Sequence, residues 1–332
     1  MHSDRVDVQL RSHTISESET KEKVAVARVS IFSNITLTIL KLCAGLLSGS
    51  ISILSEAIHS GMDLIASVIA YLSVKRSGEP PDTQHAYGHG KFEDISGLIE
   101  AVLIFIAGLV IIYEAVQKIF HPHEFSSSHL LIGILVMGIS AVVNFFVSRQ
   151  LMKVAKATHS IALEGDAWHL RTDIYTSLGV MGGLIVVYLT GMSFFDPLIA
   201  IFVALIIIKA SIGLIKRSYH DLTDYSLSEE DRNSIEEVVL QYKGEFINMH
   251  DLKTRRAGPE VFIEFHMVVD GFMSVHDAHA LIDTIEDALL HRFQRASVTV
   301  HLESCKRDCN TCTAQCHHNL YLSSPGVVKT PR

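Results

Sequence analysis

Six long apolar runs occupy the first two thirds of the chain and indicate membrane-spanning helices. They cover residues 24–47, 52–74, 95–113, 130–147, 161–189 and 197–214. Each is long enough to cross most or all of ~30 Å of hydrocarbon at a rise of ~1.5 Å per residue. The alternative is a soluble all-helical core, but a soluble domain ending near residue 217 could not bury six such runs. The pattern therefore predicts a six-helix transmembrane domain.

The pattern changes to that of a small α+β domain after residue 217. Gly258-Pro259 separates two strand-like runs and indicates a hairpin. Apolar positions at helical spacing mark the later of two helices, and an acidic first turn marks the earlier one. The predicted order is αββαβ: helix 228–242, strands 247–256 and 260–269, helix 276–293 and strand 296–302.

Charge supports the same division. The net charge is −8, which excludes a generally basic nucleic-acid-binding protein, and 48% of residues are hydrophobic. Residues 218–332 contain 11 basic and 18 acidic residues and carry most of that excess. We therefore predict a polar tail at 1–22, a transmembrane domain at 23–217, a cytoplasmic domain at 218–304 and a Cys/His-rich tail at 305–332. The first tail contains no apolar signal-peptide core and is expected to lack regular structure.

The loops between the runs predict the orientation in the membrane. Lys and Arg are concentrated after the second, fourth and sixth runs, and the alternate loops are nearly free of them. The positive-inside rule then places both termini in the cytoplasm. Such an arrangement fits a multi-pass protein of an inner (cytoplasmic) membrane.

Two H-x-x-x-D motifs lie within the second and fifth runs. Ionisable residues inside membrane spans are costly and mark functional sites. Residues four apart share one face of a helix, so two such faces would present two imidazoles and two carboxylates, a set suited to tetrahedral Zn²⁺. The alternative for a single motif is a satisfied core pair. The predicted metal ligands are His59, Asp63, His169 and Asp173.

A second group of ligands lies in the loop after the second run. Asp82, His85 and His89 have the spacing of a cation site in a small loop, and Gly88 and Gly90 allow a sharp turn around it. The alternative is a polar loop whose histidines bind nothing.

These motifs resemble those of the cation diffusion facilitator family, and the resemblance covers roughly residues 15–304. The runs His59-Ser60-Gly61-Met62-Asp63 and His85-Ala86-Tyr87-Gly88-His89-Gly90-Lys91 carry it, together with the H-x-x-x-D of the fifth run. The resemblance implies a homodimer that exports a divalent metal, usually zinc, in exchange for protons. It also implies that a metallochaperone-like αββαβ domain follows the six helices, that the first four ligands form the transport site, and that Asp82, His85 and His89 form a loop site.

The resemblance further implies a cytoplasmic zinc site and a dimer contact. The cytoplasmic ligands would be His250, His266, His279, His301 and Glu303. Glu303 stands where the zinc-transporting relatives tend to have Asp. The dimer contact would pair Lys91 with Asp224, and the alternative is a lysine that faces lipid headgroups.

The C-terminal tail departs from the family pattern. Thiolates suit Zn, Cu(I) or an Fe–S cluster, and the reducing cytoplasm makes disulfides unexpected. An accessory zinc site, an Fe–S cluster and an unliganded tail all remain open. Cys43, in the first run, is expected to be a small buried hydrophobe. The candidate tail ligands are Cys305, Cys309, Cys312, Cys316, His317 and His318.

The chemistry of the predicted ligands favours a transporter over an enzyme. Ligating imidazoles must be neutral, so metal binding expels protons and an alternating-access site could exchange metal for protons. Fe²⁺, Co²⁺ and Cd²⁺ can use the same ligands as Zn²⁺. A membrane-bound metal sensor without transport is a second alternative, and a membrane metalloenzyme is a third, although no general base stands beside the predicted ligands.

Overall fold

The computed structural model describes residues 2–48, 51–120, 130–190, 195–293 and 295–305. Six long helices come first, and a small α/β unit follows. The helices are α1 His2–Ser48, α2 Ile51–Ser77, α3 Lys91–Phe120, α4 Leu130–Thr158, α5 Ile161–Thr190 and α6 Phe195–Leu222. The later elements are α7 Glu229–Leu240, β1 Asn248–Ala257, β2 Glu260–Val269, α8 Val275–Arg292 and β3 Ala296–Ser304. The chain forms two compact units: the helical unit is Thr14–Thr223, and the second unit consists of the residues from Asp224 onward, with which residues up to His13 are grouped.

The helical unit buries several ionisable side chains and exposes many large apolar ones. Lys23, Glu93, Glu100 and Asp166 are fully buried, whereas large apolar residues such as Phe32 are exposed. This distribution is unfavourable in water and favourable in lipid. Among the described residues, four segments are long and apolar enough to cross a membrane: Glu17–Leu47, Lys91–Gln117, Leu135–Thr158 and Pro197–Leu222. Helices α2 and α5, which contain the two H-x-x-x-D motifs, have similar lengths.

Helix α5 lies at the centre of the helical unit. It packs against α2, α3, α4 and α6. Ser160 caps its N-terminus, because its hydroxyl accepts a hydrogen bond from the Leu163 amide at 3.4 Å. The preceding residue, His159, has a φ of 52°, which ends α4 and turns the chain into α5.

The second unit is a three-stranded sheet with two helices packed on one face. Strands β1 and β2 are antiparallel, and β2 and β3 are parallel. Alternate residues of β2, including Ile263, Phe265 and Met267, form the core with Leu281 and Ile285 of α8 and apolar residues of α7. Serine hydroxyls cap both helices, Ser228 for α7 and Ser274 for α8.

The predicted fold class, six transmembrane helices followed by an αββαβ domain, is confirmed. The bounds of the later elements differ from the predicted ones by at most two residues, but several of the long helices continue past their apolar runs, α4 as far as Thr158 and α6 as far as Leu222. Two expectations are wrong. The N-terminal tail continues α1 up to His2, and Cys43 is exposed on the outer side of that helix. The polar composition of residues 1–22 therefore did not predict that α1 continues through them.

A fully buried ion pair joins three parts of the helical unit. Lys23 of α1 lies 2.5 Å from Glu93 of α3, and both side chains are completely shielded from solvent. Ser160, at the start of α5, donates a hydrogen bond to the second Glu93 oxygen. Neither charge has water to solvate it, so each depends on the other.

We expect Glu93→Gln to destabilise the helical unit because it leaves the Lys23 ammonium buried without its counter-charge. Breaking a buried pair costs roughly 3–5 kcal/mol. The matched control is Glu164→Gln, which removes the bidentate but half-exposed pair with Arg217 and should cost under ~1 kcal/mol. Thermal unfolding of the detergent-purified chain should show the larger drop in Tm for Glu93→Gln; equal drops would contradict the assignment.

Candidate metal-binding sites

The first cluster of ligands lies between α2 and α5. Asp63 comes from α2, and His169 and Asp173 come from α5, one helical turn apart. Asp63 Oδ1 lies 2.8 Å from His169 Nε2. One ligand atom from each of the three residues falls within 4.8 Å of the others. His169 and Asp173 share one face of α5 because they are four residues apart, and that face points toward Asp63.

Burial separates this cluster from an ordinary surface pair. Asp63 is 4% exposed. His169 Nδ1 is buried without a hydrogen-bond partner among the residues that the structure describes. A buried imidazole nitrogen with no hydrogen-bond partner is unfavourable unless a ligand binds to it. Two carboxylates and one imidazole, shielded from bulk water, can together coordinate a divalent transition metal.

His59, the fourth predicted ligand, is in α2 one turn before Asp63. Its side chain lies outside the described residues. The neighbouring Ser60 is buried, and its hydroxyl accepts a hydrogen bond from Lys41 Nζ of α1 at 2.6 Å. The sequence analysis did not single out Lys41, although a lysine within an apolar run is itself a signal of function.

The second cluster is the loop between α2 and α3. Asp82 Oδ1 accepts hydrogen bonds from the amides of Gln84 and His85, at 2.8 and 2.6 Å. The His85 backbone bond is the main cause that lowers the pKa of Asp82 to about 2, so the carboxylate is ionised at neutral pH. The imidazole rings of His85 and His89 are 4.5 Å apart.

All three predicted loop ligands come together. One ligand atom each of Asp82, His85 and His89 lies within 4.8 Å of the others. His89 is 2% exposed, and its Nε2 is 3.2 Å from Asp82 Oδ2 without the geometry of a hydrogen bond. Gly88, with a φ of 85°, makes the turn that brings His89 back to Asp82. The loop is thus shaped as a small cation site.

The third cluster lies on the sheet of the second unit. His250, His266 and His301 are direct cross-strand partners on β1, β2 and β3. Their rings are 5.2 and 4.7 Å apart. Glu303 lies two residues after His301 on the same face, with Oε1 at 3.0 Å from His266 Nδ1 and Oε2 at 3.8 Å from His250 Nε2. Ligand atoms of His250, His266 and Glu303 lie within 4.8 Å of one another.

Asp251 adds an oxygen that the sequence analysis missed. A bulge interrupts the β1–β2 pairing between His250 and Lys253, and Asp251 has a φ of 53° there. Its Oδ2 lies 3.6 Å from His266 Nε2. The hydrogen bond from Lys253 lowers the pKa of Asp251, so the carboxylate is ionised at neutral pH. A bulge is not visible as a sequence pattern, so no signal could have identified this residue.

His279 does not join the cluster within one chain. It belongs to α8, where its Nδ1 lies 3.0 Å from Asp283 Oδ1. The helices cover the face of the sheet that carries Phe265, whereas His266, the next residue of β2, is on the opposite face. His279 therefore lies on the helical side of the sheet, and the histidines of the three strands lie on the other side.

The remaining candidates are only partly described. Cys305 is a half-buried free thiol at the end of β3. Cys309, Cys312, Cys316, His317 and His318 lie outside the described residues. Asp224 is 3.5 Å from Arg255 of its own chain, and Lys91 begins α3; the contact predicted between Lys91 and Asp224 stays a prediction.

Comparison with known proteins assigns a family to both the helical unit and the unit that follows it. Residues 27–223 match the family model of the cation efflux transmembrane domain, and residues 227–305 match that of the cation efflux protein cytoplasmic domain. The chain covers most of its full-length relatives. An uncharacterized transporter of Synechocystis is 34% identical over 264 residues, which are 80% of this chain and 84% of that protein. The cation-efflux pump FieF of Shewanella oneidensis is 30% identical over 275 residues, 83% of this chain and 92% of the relative.

The second unit also resembles a solved structure. A domain of CzrB, described as a putative zinc transporter, is 41% identical, and it covers 24% of this chain and 99% of the solved chain with a TM-score of 0.24. The two family models together span both units of the described chain. The chain therefore belongs to the cation efflux, or cation diffusion facilitator, family and is a multi-pass membrane protein that transports metal cations.

Proposed function

We propose that this protein exports Zn²⁺ in exchange for protons, as a homodimer that exposes its site alternately to the two sides of the membrane. The observation that carries the proposal is the cluster of Asp63, His169 and Asp173 between α2 and α5. It is buried within the helical unit, where a cation could bind only as the transported ion or as a fixed structural ion. With His59, one turn from Asp63, it would supply four ligands.

Zinc is supported by the type of ligand. Two imidazoles with two carboxylates suit a tetrahedral, borderline-soft cation, whereas an all-oxygen site would favour Mn²⁺ or Mg²⁺. The similar domain of CzrB is described as belonging to a putative zinc transporter. The alternative is export of Fe²⁺, Co²⁺ or Cd²⁺ by the same mechanism, since these cations accept the same ligands.

Proton coupling is supported by the chemistry of the ligands. Imidazole ligates only when neutral, so zinc and protons compete for His59 and His169. An ordinary histidine titrates near pH ~6.5, within the range of a physiological proton gradient. Protons that bind after zinc is released would be carried in the opposite direction, and the inward proton gradient would drive export.

The other two clusters would support transport from the cytoplasmic side. We propose that the loop site of Asp82, His85 and His89 binds zinc near the entrance. The row of His250, His266 and His301 with Glu303 would bind zinc in the cytoplasmic unit and tighten the dimer, with His279 and Lys91–Asp224 as further candidate contributions. The Cys/His tail would be an accessory metal site. We place the protein in an inner membrane with both termini in the cytoplasm, because basic residues concentrate in the corresponding loops.

A metal sensor that binds without transporting is the other function to be tested. It requires a cytoplasmic metal site, which this chain could provide, but it does not require ligands buried between membrane helices. Flux measurements separate the two functions directly.

Asp63→Ala and Asp173→Ala should each reduce zinc flux more than ~10-fold, because each removes one oxygen ligand from the cluster. Zinc entry into proteoliposomes, followed with an entrapped indicator, measures this. Glu164→Gln is the matched control. Glu164 is on α5, like Asp173, but it pairs with Arg217 at 2.6 Å and is not a predicted ligand. Zinc transport that survives in both alanine variants would disprove the site, and zinc binding by the wild type without flux would favour the sensor.

Zinc uptake should accelerate severalfold when the vesicle lumen is more acidic than the outside, because protons leaving the lumen drive zinc inward. Collapsing the gradient with a protonophore should return the rate to that of the symmetric condition. A rate that is the same with and without the pH gradient would refute antiport while leaving zinc transport intact.

His59→Asp should shift selectivity from Zn²⁺ toward Mn²⁺, because it replaces a nitrogen ligand with a harder oxygen ligand. The experiment compares fluxes of Zn²⁺, Fe²⁺, Co²⁺ and Mn²⁺ for the wild type and the variant. We expect the Mn²⁺/Zn²⁺ flux ratio to rise at least ~10-fold. An unchanged ratio would remove His59 from the site, and wild-type preference for Fe²⁺ or Co²⁺ would favour the alternative cargo.

A further inference from the structure

Two carboxyl groups that the transport cluster does not use are buried beside it. Glu100 of α3 and Asp166 of α5 are both fully shielded from solvent. Each has one oxygen, Glu100 Oε2 and Asp166 Oδ2, without a hydrogen-bond partner among the described residues. No Lys or Arg of the described chain is recorded in an ion pair with either group. Ionised carboxylates in such surroundings are expensive, and binding a proton removes that cost.

Asp166 lies one helical turn from the metal cluster on α5. It is three residues before His169 on α5, so the two side chains share a helix face. Asp166 Oδ1 accepts a hydrogen bond at 2.8 Å from Ser67, which is four residues after Asp63 on α2. The helices α2 and α5 are thus joined twice, first by Asp63–His169 and one turn further by Ser67–Asp166.

Ser67 is itself held in place by α1. Its hydroxyl oxygen accepts a hydrogen bond from Asn34 Nδ2 at 2.7 Å, and Ser30 Oγ lies 3.2 Å away. Because Asn34 Nδ2 can only donate, the Ser67 hydrogen is available to Asp166. Asp166 therefore keeps a fixed position while its second oxygen stays open to a proton.

Glu100 reaches the same layer from α3. Its Oε1 is 3.4 Å from the Ser96 hydroxyl, and its carboxyl group packs against Gly165, the residue before Asp166. A Cβ atom at position 165 would overlap Glu100 Oε2. A glycine there is what allows the carboxyl to lie against α5, and the charge of Asp166 acts on Glu100 through space.

The ionisable groups around this pair belong to the helices that pack against it. On α5, His169 acts on Asp166, and on α2 so does Asp63. On α3, Glu93 is neutralised by Lys23 of α1. Helix α6 packs against α3, and its Lys209 is exposed on the outer side. These helices carry further ionisable groups, among them Arg28, Lys41, Asp94, Glu164, Arg171, Asp173 and Arg217.

We propose that Glu100 and Asp166 together hold one proton and form a second proton-binding site, one helical turn from the metal ligands. The inference rests on the proposed antiport and extends it. Binding of a divalent cation at Asp63, His169 and Asp173 expels this proton by electrostatic repulsion. Release of the cation lets the pair take up a proton again, so one transported proton is carried outside the metal ligands. The only bond that forms or breaks in this exchange is the O–H bond of one carboxyl group of the pair.

The test counts protons released when zinc binds to the detergent-purified full chain at about pH 7. Calorimetric zinc titrations in buffers of different ionisation enthalpy give this number. For Glu100→Gln we expect about one proton fewer per transport site than for the wild type, and the same for Asp166→Asn. The double variant should lose no more than either single variant, because the pair holds only one proton. The cytoplasmic zinc sites contribute equally to every variant and cancel in the comparison.

The control is Glu164→Gln, which also neutralises a carboxylate of α5 but at an ion-paired position, and it should release as many protons as the wild type. Wild-type proton release in both Glu100→Gln and Asp166→Asn would overturn the proposal, as would a double variant that loses two protons. If one variant does not fold, the other tests the same proton. Zinc flux indifferent to a pH gradient would instead refute antiport, and zinc binding unaffected by Asp173→Ala would refute the transport site.

Discussion

An ionised side chain is stable within a membrane only where other protein groups replace its water. This constraint organises the helical unit. The outer sides of the helices are apolar, whereas Lys23, Glu93, Glu100 and Asp166 are fully buried. Lys23 and Glu93 satisfy each other as an ion pair. Asp63 of α2 lies beside the His169 imidazole, and Asp166 of α5 accepts a hydrogen bond from the Ser67 hydroxyl. Burial of such carboxylates favours the binding of a cation or of protons beside them, which supports the proposed transport site.

The sequence predicted what depends on local periodicity. The six runs are helices because apolar side chains continue for several turns without a breaker, and His169 and Asp173 share a face because they are four residues apart. The loop ligands were also predictable, since Asp82 and His89 are close along the chain. The bond from His169 to Asp63 needs α2 and α5 to be neighbours, and no spacing within either helix contains that information. Glu100 is a single charge within an apolar run, and no pattern in that run indicates that it lies against α5.

The cytoplasmic unit shows the same limit on a smaller scale. The histidines of β1, β2 and β3 form a row because the strand register pairs His250 with His266 and His266 with His301. His279 was grouped with them by resemblance, but α8 packs on the opposite face of the sheet. Asp251 joins the row through a bulge with a φ of 53°. Strand register, the side of the sheet on which a helix packs and a bulge all depend on tertiary structure. Each of them changes which residues can act as ligands, compared with the set that the motifs alone imply.

The position of Asp166, three residues before His169 on α5, suits a coupled exchange. A divalent charge roughly 6 Å away, the spacing of side chains one helical turn apart, would stabilise an ionised carboxylate by about 5 kcal/mol at an effective dielectric constant of ~20. Each ~1.4 kcal/mol changes proton affinity tenfold, so metal binding would weaken the pair's hold on a proton by a factor of about a thousand or more. Protonating a metal ligand excludes the metal outright. The acid pair is one helical turn from the metal ligands, so its protonation affects metal binding only through charge. The pair can therefore carry a proton while all the metal ligands stay available to the metal.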